Sequence, residues 1–331
     1  MKVAVIGAGS WGTTIAHLCS QNADTSVWTR RPEVVESIVN SHENEHYLAG
    51  FALHDDLTAS TDLEEVTSNA DVIVMGVASE GFATTLDALD GIVSPSTPVV
   101  SLAKGLDRDS GRRMTELISE RFANNPVGVL TGPNLAKEIL AGQAAASVIA
   151  FSDEQVATWL QPLFATDLFR VYTNSDVVGC ELGGALKNVI AVGVGMADGL
   201  GVGNNTRAAV MTRGLAEITR LGVAMGGRPE TFSGLTGMGD LVATCISPQS
   251  RNRFVGEALG RGRKLADIIE EMAQVAEGIT SASVMAELGR RHGVDVPIAD
   301  QVCAVVEESR SAEEAYRGLL ARPQQGEVDR R

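Results

Sequence analysis

Positive charge is scarce in this chain: 27 lysines and arginines stand against 42 aspartates and glutamates, a net charge of −15. That balance argues against general binding to nucleic acid or to an anionic membrane. If the ligand is an anion, its counter-charge must come from a few local residues. Cysteine is sparse too. Cys19, Cys180, Cys245 and Cys303 show no C-x-x-C spacing, so they read as reduced core thiols rather than a disulfide or zinc framework. Aromatic residues make up only 4%, while the apolar share of 44% is ordinary for a soluble globular protein. No apolar run approaches the ~20 residues needed to span a bilayer. No signal-peptide pattern precedes the first strand, and there is no internal repeat or low-complexity linker. The cytoplasm is the expected location. A chain of 331 residues is long enough for two domains and a sizeable core.

What the chain does have starts at residue 2. Lys2 to Ile6 is a short apolar run rich in β-branched residues, a strand buried on both faces. Gly7, Gly9 and Gly12 follow at G-x-G-x-x-G spacing and open a segment of helical periodicity. The first glycine permits a tight turn, the second lets a pyrophosphate approach the backbone, and the third allows close helix–strand packing. The helix N-terminus then offers N–H groups and a positive dipole end to the phosphates. The second strand, Thr25 to Thr29, ends at Arg30 and Arg31. An acid at that point favours NAD, whereas arginine can accommodate the 2′-phosphate of NADP. NADP(H) is therefore expected, with NAD(H) as the other candidate.

Strands and helices then alternate. Strands are expected at Asp71–Val77, Thr97–Ala103 and Val127–Thr131, with two more at 144–151 and 168–172. Such repetition makes a mostly parallel, doubly wound sheet covered by helices. Gly76, Lys104 and Gly132 follow different strands and should converge on one crevice at the strands' carboxyl ends. After Asn174 the texture changes. Val177 to Met196 is a long Gly/Ala-rich run that reads as a central helix in close packing rather than as a membrane span. Only helical patterns follow, so an all-α second domain is expected over 175–322, after a Rossmann-type domain over 1–174 and before a frayed tail from Pro323.

Several residues stand out chemically. His42-Glu43-Asn44-Glu45-His46 fits H-E-x-x-H, but zinc hydrolysis would require both histidines on one helix face, a third ligand and an open metal position, and this stretch falls in a polar connection after the second strand. It reads as a solvated loop or helix end, and no metal site is expected. Lys187 places an ammonium inside an otherwise apolar helix, costly to bury unless something pairs with it or uses it. Asp240, on the glycine-rich turn Gly237-Met-Gly-Asp240, is its candidate partner. Ser250-Arg251-Asn252-Arg253 at a helix start suits an oxyanion. With Lys104 these cations suggest an interdomain cleft closing on a small phosphorylated substrate.

At these positions the chain resembles the bacterial-type NAD(P)-dependent glycerol-3-phosphate dehydrogenases. The matching stretches are Gly7-Ala-Gly-Ser-Trp-Gly12, Ala103-Lys-Gly105, Gly132-Pro133 with Ala136 and Glu138, and Gly183-Gly-Ala-Leu-Lys-Asn188. They continue through Asp198-Gly-Leu-Gly201, Thr212-Arg-Gly-Leu215, Gly237-Met-Gly-Asp-Leu241, Ser250-Arg-Asn252 and Val275-Ala-Glu-Gly278. The resemblance implies a second domain like the helical one of 6-phosphogluconate dehydrogenase. It implies reduction of dihydroxyacetone phosphate to sn-glycerol 3-phosphate, a glycerophospholipid precursor. Lys187 would be the proton acceptor of the reverse direction, with Asp240 and Lys104 as its catalytic companions. Lys104, Gly132, Asn134, Asp240, Ser250, Arg251 and Asn252 would surround the substrate. Ser10, Trp11, Arg30 or Arg31, Lys104, Ala136, Arg251, Val275 and Glu277 would touch the cofactor. A homodimer is expected. The chain departs from the family pattern at Asn134 (usually Ser or Thr), Asn204 (a common Asp) and Phe254 (a common Arg). A β-hydroxyacid or 6-phosphogluconate type of dehydrogenase, and a non-enzymatic dinucleotide sensor, are the other readings.

Overall fold

The computed structural model describes residues 1–272 and 276–323. Among the described residues eight strands form one sheet: β1 (Lys2–Ile6), β2 (Asp24–Trp28), β3 (Thr58–Ser60), β4 (Val72–Met75), β5 (Val99–Ser101), β6 (Val127–Thr131), β7 (Ala145–Phe151) and β8 (Phe169–Asn174). Their order is β3-β2-β1-β4-β5-β6-β7-β8, the doubly wound arrangement whose order reverses beside β1. All neighbours pair in parallel except β6 and β7. Between β6 and β7 lies only the five-residue helix Ala136–Leu140, which rises ~7.5 Å. The eleven-residue helix Glu154–Phe164 makes the crossover that the parallel pair β7–β8 requires.

Alternation along β1 explains why both faces are covered. Val3 and Val5 face a core shared with Ile15, Leu18 and Phe164, whereas Ala4 and Ile6 face one shared with Phe82, Leu86 and Ile118. The short strand β3 is half-exposed at the sheet edge, and its three residues carry no apolar run by which sequence could mark it.

Every described element after β8 is a helix. Helix Val177–Gly199 is 23 residues long and apolar enough to cross a bilayer, so the expectation that no run approaches that length needs correction. Its most apolar stretch is 94% buried within the protein, which makes it a core helix. Small residues permit that burial. A Cβ on Gly195 would strike the Arg253 carbonyl, and one on Gly256 would strike the Val192 carbonyl. The helices Val177–Gly199 and Arg251–Gly260 therefore pack backbone against backbone.

The chain forms two compact units. The first is Met1–Leu186 with Gly222–Ala243; the second is Lys187–Leu221 with the residues from Thr244 onward. Secondary structure changes type between Asn174 and Val177, but the division by compactness falls inside the long helix, between Leu186 and Lys187.

Candidate active site

A glycine turn is built at the carboxyl end of β1. Gly7 adopts φ +112°, which favours glycine, and its N–H donates to the Trp28 carbonyl at 2.9 Å. A Cβ on Gly12 would collide with the Gly7 carbonyl oxygen, and one on Gly76 would lie 3.0 Å from Gly12 Cα. Three glycines thus let the turn, the helix Ser10–Ser20 and the end of β4 close on one another. Above Gly9, nothing among the described residues lies within 4 Å of an added Cβ. The helix has no side-chain cap at Gly9 and no acid in its first turn. An uncapped, acid-free helix start beneath an open glycine fits a pyrophosphate. Trp11 packs on Phe169 with ring centroids 6.3 Å apart, and its buried Nε1 has no hydrogen-bond partner among the described residues.

At the end of β2 the structure places Arg30 and Arg31 at the surface. Arg31 faces His46, 3.0 Å from NH1 to Nε2. The two histidines of the H-E-x-x-H stretch do not share a helix. His42 ends Pro32–Ser41 with φ 49°, and His46 lies in Glu45–Leu48. Asn44 between them is fully buried, and its Nδ2 donates to the Ala8 carbonyl (3.0 Å) and to Thr13 Oγ1 (2.8 Å). The only sign of Asn44 in the sequence is its place before a helical turn, where asparagine is a natural N-cap.

Further along the same edge, Lys104 follows β5 and Gly132 follows β6. The Lys104 ammonium donates to the Gly132 carbonyl at 2.6 Å and to Asp240 Oδ2 at 2.8 Å. Asp240 is 2% exposed and stands directly after the π-helical turn Leu235–Gly239. A Cβ on Gly183 would lie 2.7 Å from the Thr236 carbonyl of that turn, and one on Gly184 2.6 Å from Thr131 Oγ1. The paired glycines of the long helix make room for the turn and for the end of β6. Asn134 donates from Nδ2 to Ser147 Oγ at 3.3 Å, while its Oδ1 and the buried Thr131 Oγ1 have no partner among the described residues. Ala136 opens the next helix.

In the second unit, Lys187 is 5% exposed and donates to Thr244 Oγ1 at 2.5 Å. Thr244, one helical turn on from Asp240, was not singled out by sequence. The next residue, Asn188, accepts at Oδ1 from Asn252 Nδ2 (2.9 Å), and Asn252 Oδ1 accepts from the Gly278 N–H (2.8 Å). Asn188 Nδ2 reaches Glu277 Oε2 at 3.5 Å. Ser250 caps the helix Arg251–Gly260, accepting from the Arg253 N–H. Desolvation holds the Arg251 guanidinium below its ordinary range, opposed by the nearby Glu277 carboxylate. Arg253 turns to Asp198, 3.0 Å away, a nearly buried acid that also binds Arg207 at 2.7 Å. Val275 lies outside the described residues.

A doubly wound sheet with a glycine cradle, followed by helices carrying a buried lysine, defines a nicotinamide-dinucleotide dehydrogenase of two-part construction. The chain belongs, more narrowly, to the NAD-dependent glycerol-3-phosphate dehydrogenase family: the N-terminal model of that family matches residues 2–157 and the C-terminal model residues 176–317. It is 58% identical to NAD(P)+ glycerol-3-phosphate dehydrogenase 2 of Sphingopyxis alaskensis, over 97% of this chain and 96% of that one. The corresponding enzyme of Mycobacterium avium is 50% identical, over 97% and 94%. Among solved structures, glycerol-3-phosphate dehydrogenase of Coxiella burnetii superposes with a TM-score of 0.93 at 33% identity, covering 97% of this chain and 99% of that one.

Proposed function

We propose that this chain reduces dihydroxyacetone phosphate to sn-glycerol 3-phosphate with NADPH or NADH. The observation that carries the reading is Lys187, an ammonium 5% exposed on the Gly-Gly-Ala-Leu-Lys-Asn stretch of the family. A bound nicotinamide dinucleotide supplies the hydride. Lys187 donates a proton to the carbonyl oxygen as the hydride adds to its carbon, and takes the hydroxyl proton in the reverse direction. Its Thr244 partner fixes the direction of the ammonium. Lys104, held by Asp240 and the Gly132 carbonyl, brings a second positive charge to the substrate; Asn134 adds an amide. Ser250, Arg251 and Asn252 take the phosphate. Asn252 keeps one amide N–H beyond its bond to Asn188.

The cofactor lies on Gly7, Gly9, Ser10, Trp11 and Gly12, with Arg30 and Arg31 at the 2′-phosphate of NADPH and Ala136, Arg251, Val275 and Glu277 as further contacts. On this reading residues 1–174 are the dinucleotide-binding domain, which also lends Lys104 and Asn134 to the substrate, and 175–322 are the helical substrate and catalytic domain, which lends Arg251, Val275 and Glu277 to the cofactor. The protein works in the cytoplasm as a homodimer, on a small phosphorylated molecule and without nucleic acid, as its net charge of −15 favours. The test is oxidation of NADPH and of NADH by the purified chain with and without dihydroxyacetone phosphate. Oxidation that does not depend on the ketone phosphate would reject it. Sedimentation of the same sample checks the dimer.

A further inference from the structure

The Arg31 side chain is 47% exposed, and a long exposed arginine loses rotamer freedom when it is ordered by a ligand. Here it is already held. Its NH1 lies 3.0 Å from His46 Nε2. A guanidinium can only donate, so Nε2 is the acceptor in this contact. The guanidinium carbon sits 5.9 Å from the Tyr47 ring centroid, and the Tyr47 and His46 rings meet edge to face at 4.4 Å. Glu33 Oε1 is the competing partner, 3.9 Å from the same NH1.

The turn that carries His46 is tied down by Asn44. Asn44 accepts from the Tyr47 N–H, and its amide is bonded to Ala8 and Thr13 of the glycine turn. The connection that brings His46 to Arg31 is therefore fastened to the cradle that faces the pyrophosphate. One N–H of Arg31 is spent on His46, which leaves the rest of its five donors for an anion.

We propose that His46 is the positioning residue of Arg31: it holds the guanidinium at the end of β2 for the 2′-phosphate and so sets the preference of this site for NADPH over NADH. The inference rests on the reading of Arg31 as a 2′-phosphate ligand. The experiment measures dissociation constants of NADPH, NADH and adenosine 2′,5′-bisphosphate for the full chain by calorimetry at one salt concentration. Arg31→Ala should weaken NADPH by about 10- to 100-fold, the worth of a charge-assisted hydrogen bond, with NADH within about twofold. His46→Ala should weaken NADPH and the bisphosphate by about 3- to 10-fold, again sparing NADH, because it loses order rather than charge. His46→Gln, whose Oε1 can accept in place of Nε2, should recover most of that loss. The double variant Arg31→Ala/His46→Ala should bind NADPH no worse than Arg31→Ala alone.

Equal weakening of both dinucleotides by His46→Ala would make the residue merely structural. Multiplying losses in the double variant would mean that His46 touches the phosphate itself, and either result overturns the positioning role. A selective Arg31→Ala with a silent His46→Ala overturns it while leaving Arg31 as the reader. An unselective Arg31→Ala overturns the 2′-phosphate reading along with it.

Discussion

Lys104 donates to Asp240 across 2.8 Å, although 136 residues separate the two along the chain. The pair is nearly dry, with side-chain exposures of 15% and 3%, and the Gly132 carbonyl shares the ammonium. Removing one partner of a buried pair leaves a charge uncompensated, at a cost of about 3–5 kcal/mol. Asp240→Ala should lower stability by that order in denaturant unfolding. Asp240→Asn, which keeps an acceptor near Lys104, should cost less. Both should impair turnover, whereas the affinity for NADH should hold if the pair serves the substrate.

Lys187 and Arg251 should fail differently. Lys187→Ala should depress the chemical step by roughly 10²–10⁴-fold, with cofactor binding retained in a fluorescence titration. Arg251→Ala should chiefly raise the KM for dihydroxyacetone phosphate, and it should lower turnover to the extent that binding at the phosphate orients the carbonyl. Unphosphorylated dihydroxyacetone should be a poor substrate that loses far less from Arg251→Ala. Equal losses for the two substrates would remove the phosphate from Arg251.

The H-E-x-x-H stretch should have no part in metal chemistry, because His42 ends one helix and His46 belongs to the next. Dialysis against a chelator should leave turnover unchanged. Loss of activity restored by zinc would reverse this.

Glu217 predicts a pH dependence of stability in the second unit. It is 1% exposed, and its carboxylate accepts from the N–H groups of Ile298 (2.9 and 3.1 Å) and Ala299 (3.3 Å). Burial pushes its carboxyl up from 4.5 to about 7, against those two N–H groups and Arg220, which pull it down. A folded value above the unfolded one means that the native state binds more protons in between. The favourable contribution is complete below 4.5 and is lost as pH rises through about 7. The difference is on the order of 3 kcal/mol. Glu217→Gln keeps an acceptor without the charge, so its Tm should gain on the parent as pH is raised from about 5 to about 8. A constant difference in Tm would place the burial cost elsewhere.

What repeats locally was legible in the order of the residues. A β-branched run before G-x-G-x-x-G announced β1 and its helix, alternating apolar runs announced the sheet, and the Gly/Ala-rich stretch announced a helix in close contact. These signals rest on side-chain period and on backbone freedom at single residues, which act within a few positions. What meets across distance came from the folding of the whole chain. It placed β3 at an edge, reversed β7 against β6, joined Asp240 to Lys104, gave Thr244 to Lys187 and brought His46 to Arg31. None of these pairings has a period. Each depends on where the folded backbone delivers two side chains that are remote in sequence, and an ammonium or a carboxylate takes whichever partner lies within about 3 Å once both are desolvated.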